Sequence, residues 1–122
     1  MSTYEVPEPI LNSPYAEPAA HWHIEEGTFP ERREGRRPAG YFYRDPKASA
    51  GNTEHEARGQ WVPLTLVSLL RERVKDWRHH GYPGVTRTTL ELLDYWHRDG
   101  RATRLFFAQL EAAETIVFLT EV

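Results

Sequence analysis

The chain has 122 residues, 39% of them apolar, with no cysteine and a formal net charge of −3. That length allows one domain with one modest core. The composition excludes a disulfide framework and a thiolate zinc site, and the acidic balance excludes a strongly basic, nonspecific nucleic-acid coat.

The N-terminal stretch Met1-Ser2-Thr3-Tyr4-Glu5-Val6-Pro7-Glu8-Pro9 has neither the basic leader nor the apolar core of a signal peptide. No window approaches the ~20 apolar residues of a membrane span. These features predict a cytoplasmic protein with no membrane partner. Seven of the nine prolines fall before Lys47, so residues 1–60 read as an extended arm and loops, and residues 61–122 as a helical unit.

Within the arm, Pro7, Pro9, Pro14, Pro18 and Pro30 forbid a long helix. Ile10, Leu11, Tyr15 and Trp22 are too apolar for a solvated tail and predict a strap buried against another surface. Asn12-Ser13-Pro14-Tyr15 has turn chemistry, and the alternation of His21-Trp22-His23-Ile24 predicts a short strand. His21 and His23 would point the same way on that strand, but without a third ligand they read as surface residues.

Residues 31–44 carry Arg32, Arg33, Arg36, Arg37 and Arg44, interleaved with Glu31 and Glu34 and followed by the strand candidate Tyr41-Phe42-Tyr43. Arginine beside aromatics suits a phosphate backbone, an unstacked base or an acidic partner surface. Pairing with the neighbouring glutamates in a solvated loop accounts for the same pattern. Residues 45–60 are polar and read as a linker.

From residue 64 the periodicity becomes helical. Leu66, Leu70, Val74 and Trp77 mark one face of a helix over 64–79, which Gly81 and Tyr82-Pro83-Gly84 end. Thr88 and Glu91 fit a capping box for a second helix over 88–98. A third helix is expected from Thr103 onward. Gln109 interrupts its apolar face, and a buried amide without partners costs about 1–3 kcal/mol. The expected fold is therefore mainly α: an extended, proline-rich N-terminal arm with short strands, then a three-helix unit.

No Gly-Lys-Ser/Thr loop, acidic metal box, glycine-flanked nucleophile or His-Glu-x-x-His helix occurs. Glu111 and Glu114 lie three apart on the last helix, with nothing in the sequence gathered around them. These residues predict no catalytic centre in the chain.

Several stretches, taken in order, resemble the N-terminal region of type III restriction endonuclease subunit R-like proteins, which are DEAD/DEAH-box (superfamily 2) helicases. They are Pro9-Ile10-Leu11-Asn12-Ser13-Pro14-Tyr15-Ala16-Glu17-Pro18, His21-Trp22, Glu34-Gly35-Arg36-Arg37-Pro38 with Tyr41-Phe42, Trp77-Arg78, Gly81-Tyr82-Pro83-Gly84-Val85-Thr86 and Leu92-Leu93-Asp94-Tyr95-Trp96. The last and longest runs from Arg104-Leu105-Phe106-Phe107 through Gln109 to Thr115.

The resemblance implies an ATP-dependent DNA-processing motor of restriction or phage defence, with Mg bound elsewhere in the parent. It makes Gln109 the reader of the adenine of ATP, with Phe106, Phe107 or Arg104 against the base. Related motors often carry Arg-x-Tyr directly before this glutamine, whereas here Phe106 and Phe107 stand closer and Arg104 sits five before. The resemblance also makes the chain the front of a longer protein whose motor domain would be its partner, with DNA as a further partner. The other reading is a freestanding helical DNA-binding or protein-interaction module, with the first two helices as a helix-turn-helix.

Overall fold

Proline-rich, charged and aromatic stretches decide the first half, and helical periodicity the second. A computed structural model describes residues 5–25, 28–43 and 60–122. The elements in chain order are β1 (Ala20–His23), β2 (Glu31–Glu34), β3 (Gly40–Tyr43), β4 (Gln60–Pro63), α1 (Thr65–His79), α2 (Arg87–Trp96) and α3 (Phe107–Glu121). Helices make up 40% and strands 16% of the described residues, which corrects the mainly α expectation to a small mixed α/β domain.

The strands pair into two antiparallel ribbons, β1 with β2 and β3 with β4. In the first, Trp22 faces Arg32 and His21 faces Arg33. In the second, Phe42 faces Trp61 and Tyr41 faces Val62. β2 reads Glu-Arg-Arg-Glu and is exposed throughout, so no apolar alternation announces it. Only its ladder with β1 makes it a strand. β4 starts at the junction expected at 60/61 and ties the two halves together. Trp61 lies directly on Gly40, where a Cβ would stand 2.2 Å from the indole. The linker expected over 45–60 lies, apart from Gln60, outside the described residues, as does Arg44.

The arm is pinned by side chains. Asn12 Nδ2 donates to the Ala20 carbonyl at 2.8 Å, while Asn12 Oδ1 accepts the Ala19 N–H at 2.9 Å. Trp22 Nε1 donates to the Glu8 carbonyl at 2.7 Å. The arm is nevertheless not buried against this chain's own helices: Ile10 is 81% exposed and Tyr15 is also exposed, while Leu11 and Trp22 are half-buried. Hydrogen bonds, more than apolar burial, hold it.

The three helices meet around Val74, Trp77 and Leu93, with Leu70, Tyr82, Val85, Trp96, Val117 and Phe118 packed against them. Trp77 is the centre: its ring meets Tyr82 at 4.7 Å and Phe118 at 5.5 Å, and its Nε1 donates to the Pro83 carbonyl at 2.9 Å. Only the C-terminal half of α1's apolar face is used, because Leu66 is 77% exposed.

Two helix starts differ from expectation. Thr86, not Thr88, caps α2, its Oγ1 accepting the Thr89 N–H at 3.2 Å. α3 begins at Phe107, not Thr103, because Phe106 is extended and the Phe107 N–H donates out of the helix, to the Pro14 carbonyl at 2.8 Å. The arm thus sets where the last helix starts. Among the described residues no helix is long and apolar enough to cross a membrane.

Candidate functional site

The first turn of a helix leaves backbone N–H groups without intrahelical partners. At the start of α3 two of these are taken. Pro14 receives the Phe107 N–H, and Gln109 Oε1 accepts the Phe106 N–H at 2.9 Å. Gln109 is exposed, so it does not interrupt a buried face as its spacing implied. Because an N–H must meet an oxygen, this bond also fixes which way the amide points. Oε1 turns toward the backbone and keeps a second lone pair, and both Nε2 protons remain for another acceptor.

Phe106, whose N–H holds this amide, begins a chain of ring and cation contacts. Tyr15 of the arm meets Phe106 with ring centroids 5.4 Å apart, and the Arg104 guanidinium lies 4.1 Å over the Tyr15 ring. Arg104 is also paired with Asp99 at 3.0 Å. All three side chains are exposed. Tyr15 therefore joins the residues singled out by sequence, and the arm carries it there.

Phe107 faces the other way. The guanidinium of Arg36 lies 5.7 Å from its ring centre and that of Arg78 lies 5.3 Å away. Phe107, Glu111 and Glu114 follow each other at i, i+4 and i+7, on one side of α3. Arg36 forks onto Glu111, with Nη2 to Oε1 at 2.7 Å. Arg78 forks onto Glu114, with Nε to Oε2 at 2.7 Å and Nη2 to Oε1 at 2.9 Å.

Glu114 is fully buried. Tyr82 Oη donates its one proton to Glu114 Oε2 at 2.6 Å, and His97 Nε2 stands 3.2 Å from the same hydroxyl. Burial and the bond to Glu114 push the Tyr82 hydroxyl well above its ordinary value. Tyr82 is also a non-glycine residue at positive φ, 60°, a conformation that costs of order 1–3 kcal/mol and persists only when its surroundings enforce it.

These ion pairs are what sequence reasoning missed. Arg36 and Arg78 lie 75 and 36 positions from their glutamates. One signal was present: Leu110, Glu114 and Val117 share a helical face, so Glu114 stood among core positions and required a partner.

Burial pushes the Glu111 carboxyl up, but the hydrogen bonds and charge of Arg36 outweigh it, and the net value lies below the usual carboxylate range. A depressed carboxyl contributes stability above its unfolded pKa and loses it as pH falls through its folded one. Glu111→Gln is therefore expected to lower stability by about 1.5–3 kcal/mol at neutral pH. The gap from the native chain should close as pH falls below about 4. Urea melts across that range test this, and a gap that does not change with pH would refute it.

Of the five arginines singled out on residues 31–44, the four among the described residues have separate partners. Arg32 and Arg33 stand exposed on β2, beside Glu34 at 3.6 Å and Glu31 at 3.3 Å. Arg36 is inside, on Glu111. Arg37 Nη2 donates to the Trp22 carbonyl at 2.7 Å. Among the described residues, no group of three or more His, Cys, Asp or Glu side chains is arranged to hold a metal ion. Comparison with protein-family models, curated proteins and solved structures finds no match for this chain.

Proposed function

We propose that this chain is the N-terminal module of a type III restriction-like superfamily 2 DNA helicase or translocase. It would work in the cytoplasm as part of an ATP-dependent DNA-processing system of phage defence, and it is not catalytic alone. The observation that carries the reading is the Gln109 amide, exposed at the start of α3 and already oriented by the Phe106 N–H.

Adenine offers an acceptor at N7 and a donor at its N6 amino group. Gln109 has the complement left over: Nε2 donors and the second lone pair of Oε1. Phe106, Tyr15 and Arg104 supply exposed faces along the chain of contacts that begins at Phe106. Phe107 is the poorer stacking candidate, since two guanidiniums cover it. These residues fit the base of ATP only. With no Gly-Lys-Ser/Thr loop in the sequence, the phosphates, Mg and hydrolysis belong to the motor domain as partner.

A second feature supports a partner at α3. Ala108, Ala112, Ile116 and Leu119 recur at helical spacing on its outer side and are all exposed. A helix apolar on both sides is suited to burial between two bodies. Here the motor domain would cover the outer one.

Gln109→Glu tests the reading in the complete motor. The carboxylate still accepts the Phe106 N–H, so the helix start is kept, but both donors toward N7 are lost. Half-maximal turnover should then need about 5- to 150-fold more ATP, with weaker discrimination against GTP. An unchanged Michaelis constant and unchanged nucleotide preference would overturn the adenine assignment.

A further inference from the structure

Away from Gln109, the loop 35–38 and α1 enclose a cleft of about 550 Å³, lined by Arg36, Arg37, Arg71 and Lys75 with Glu17 and Glu72. Two of the four cations are answered: Arg36 by Glu111, and Lys75 by Glu17 at 3.6 Å. The other two are not. Arg37 donates to the Trp22 carbonyl and Arg71 Nη1 to the Arg37 carbonyl at 3.4 Å, so both meet neutral acceptors. Among the described residues neither has a carboxylate at ion-pair distance. Burial and then the charge of Arg36 hold Arg71 below the ordinary guanidinium value, outweighing the Glu111 carboxylate, which acts on it from a distance.

The cleft runs directly into the β3–β4 ribbon. Ser68, on its wall, accepts the Ala39 N–H at 3.3 Å, and Leu64 N–H donates to the Ala39 carbonyl at 2.9 Å. The next residue begins β3. That ribbon exposes Tyr41, Phe42, Tyr43 and Trp61, each between 41% and 66%. Phe42 and Trp61 meet edge to face at 5.1 Å, and none of the four belongs to the helical core.

Cations without an ion pair, leading onto an exposed aromatic face, are the two parts a single strand requires: charge for its phosphates and rings for its unpaired bases. A duplex offers phosphates but hides its base faces. An acidic protein surface would meet the cations and leave the rings unused. We propose that the cleft and the ribbon together bind single-stranded nucleic acid, with Arg37 and Arg71 on phosphates and Phe42 and Trp61, which share one face of the ribbon, stacking on bases. This deepens the reading as a nucleic-acid motor module, yet its test needs neither ATP nor the motor domain.

The test is fluorescence anisotropy of the 122-residue chain with labelled oligo-dT of about 20 nucleotides, titrated at several salt concentrations from about 50 mM upward. Oligo-dT should bind more tightly than a duplex of equal length, and poly-glutamate should compete poorly. Oligo-rU run in parallel distinguishes an RNA strand from a DNA strand, and tighter binding of either supports the site.

Arg37→Gln and Arg71→Gln should each flatten the slope of log Kd against log salt by about 0.7. Phe42→Ala should weaken binding by about 5- to 150-fold with the slope unchanged. Arg32→Gln, on β2, should change neither. Arg37 is exposed, so its variant reports on binding even where a ribbon variant melts early by circular dichroism. Equal binding of duplex, strong competition by poly-glutamate, absence of binding at low salt, or slopes unmoved by both glutamine variants would each overturn the proposal. None of those results bears on nucleotide preference at Gln109, so the two readings fail separately.

Discussion

Glu114→Gln is expected to destabilise the chain by about 3–5 kcal/mol, the range for breaking a buried ion pair from one side. The carboxylate receives three donated hydrogen bonds, two from Arg78 and one from Tyr82, and is itself fully buried. Glutamine keeps the shape but presents an NH2 group to some of those donors. It also leaves the Arg78 guanidinium, whose side chain is only 15% exposed, with the more distant Glu17 at 3.9 Å. Tyr82 would lose the partner that helps hold its positive φ. Since the whole stability of a small domain is about 5–15 kcal/mol, much of it would go.

The triple change Arg78→Met, Tyr82→Phe and Glu114→Leu separates this account from simple overpacking. These three changes leave no buried unpaired charge, because His97 is exposed and Glu17 keeps Lys75, so most of the loss should be recovered. Equilibrium urea unfolding measures both variants. A loss under 1 kcal/mol in Glu114→Gln, or a triple variant worse than the single one, would contradict the argument.

Trp77→Ala is expected to cost a similar amount, about 3–5 kcal/mol, for a different reason. Trp77 lies in the small core and is in contact with Tyr82, Phe118 and the Pro83 carbonyl. Its loss opens a cavity under the turn that joins α1 to α2. That turn has few means of collapsing, because Gly81, Tyr82 and Gly84 are already at positive φ. Trp77→Phe should recover part of the loss by filling volume, but not the hydrogen bond to Pro83. Thermal melts of the pair check this. Equal melting temperatures for Trp77→Ala and the native chain would show that the core lies elsewhere.

The arm gives the clearest contrast between local and tertiary information. Its prolines made the extended backbone legible, and Asn12-Ser13-Pro14-Tyr15 announced a turn, which the Tyr15 N–H to Ser13 Oγ bond at 3.2 Å helps close. Nothing local said that the Pro14 carbonyl would accept the Phe107 N–H, or that Tyr15 would reach Phe106. Gln109 was legible as a residue of interest. Its spacing put it on an apolar face and did not by itself show that the amide is exposed and met by the Phe106 N–H, because the outer face of α3 is as apolar as its inner one.

By itself, the sequence determined the things that depend on neighbours in the chain. These were the helix expected over 64–79 and found at Thr65–His79 with its glycine-rich stop, the strand expected at His21–Ile24 and found one residue earlier at Ala20–His23, the extended arm and the absence of any thiol chemistry. Tertiary structure alone decided the rest. It made a strand of the charged, fully exposed β2, paired β3 with β4, moved the start of α3 to Phe107, and brought Arg36 and Arg78 to Glu111 and Glu114. The physical reason is the same in each case. Periodicity and propensity record the preferences of adjacent residues, whereas strand ladders and buried ion pairs acquire their free energy only when distant segments meet and water is excluded between them.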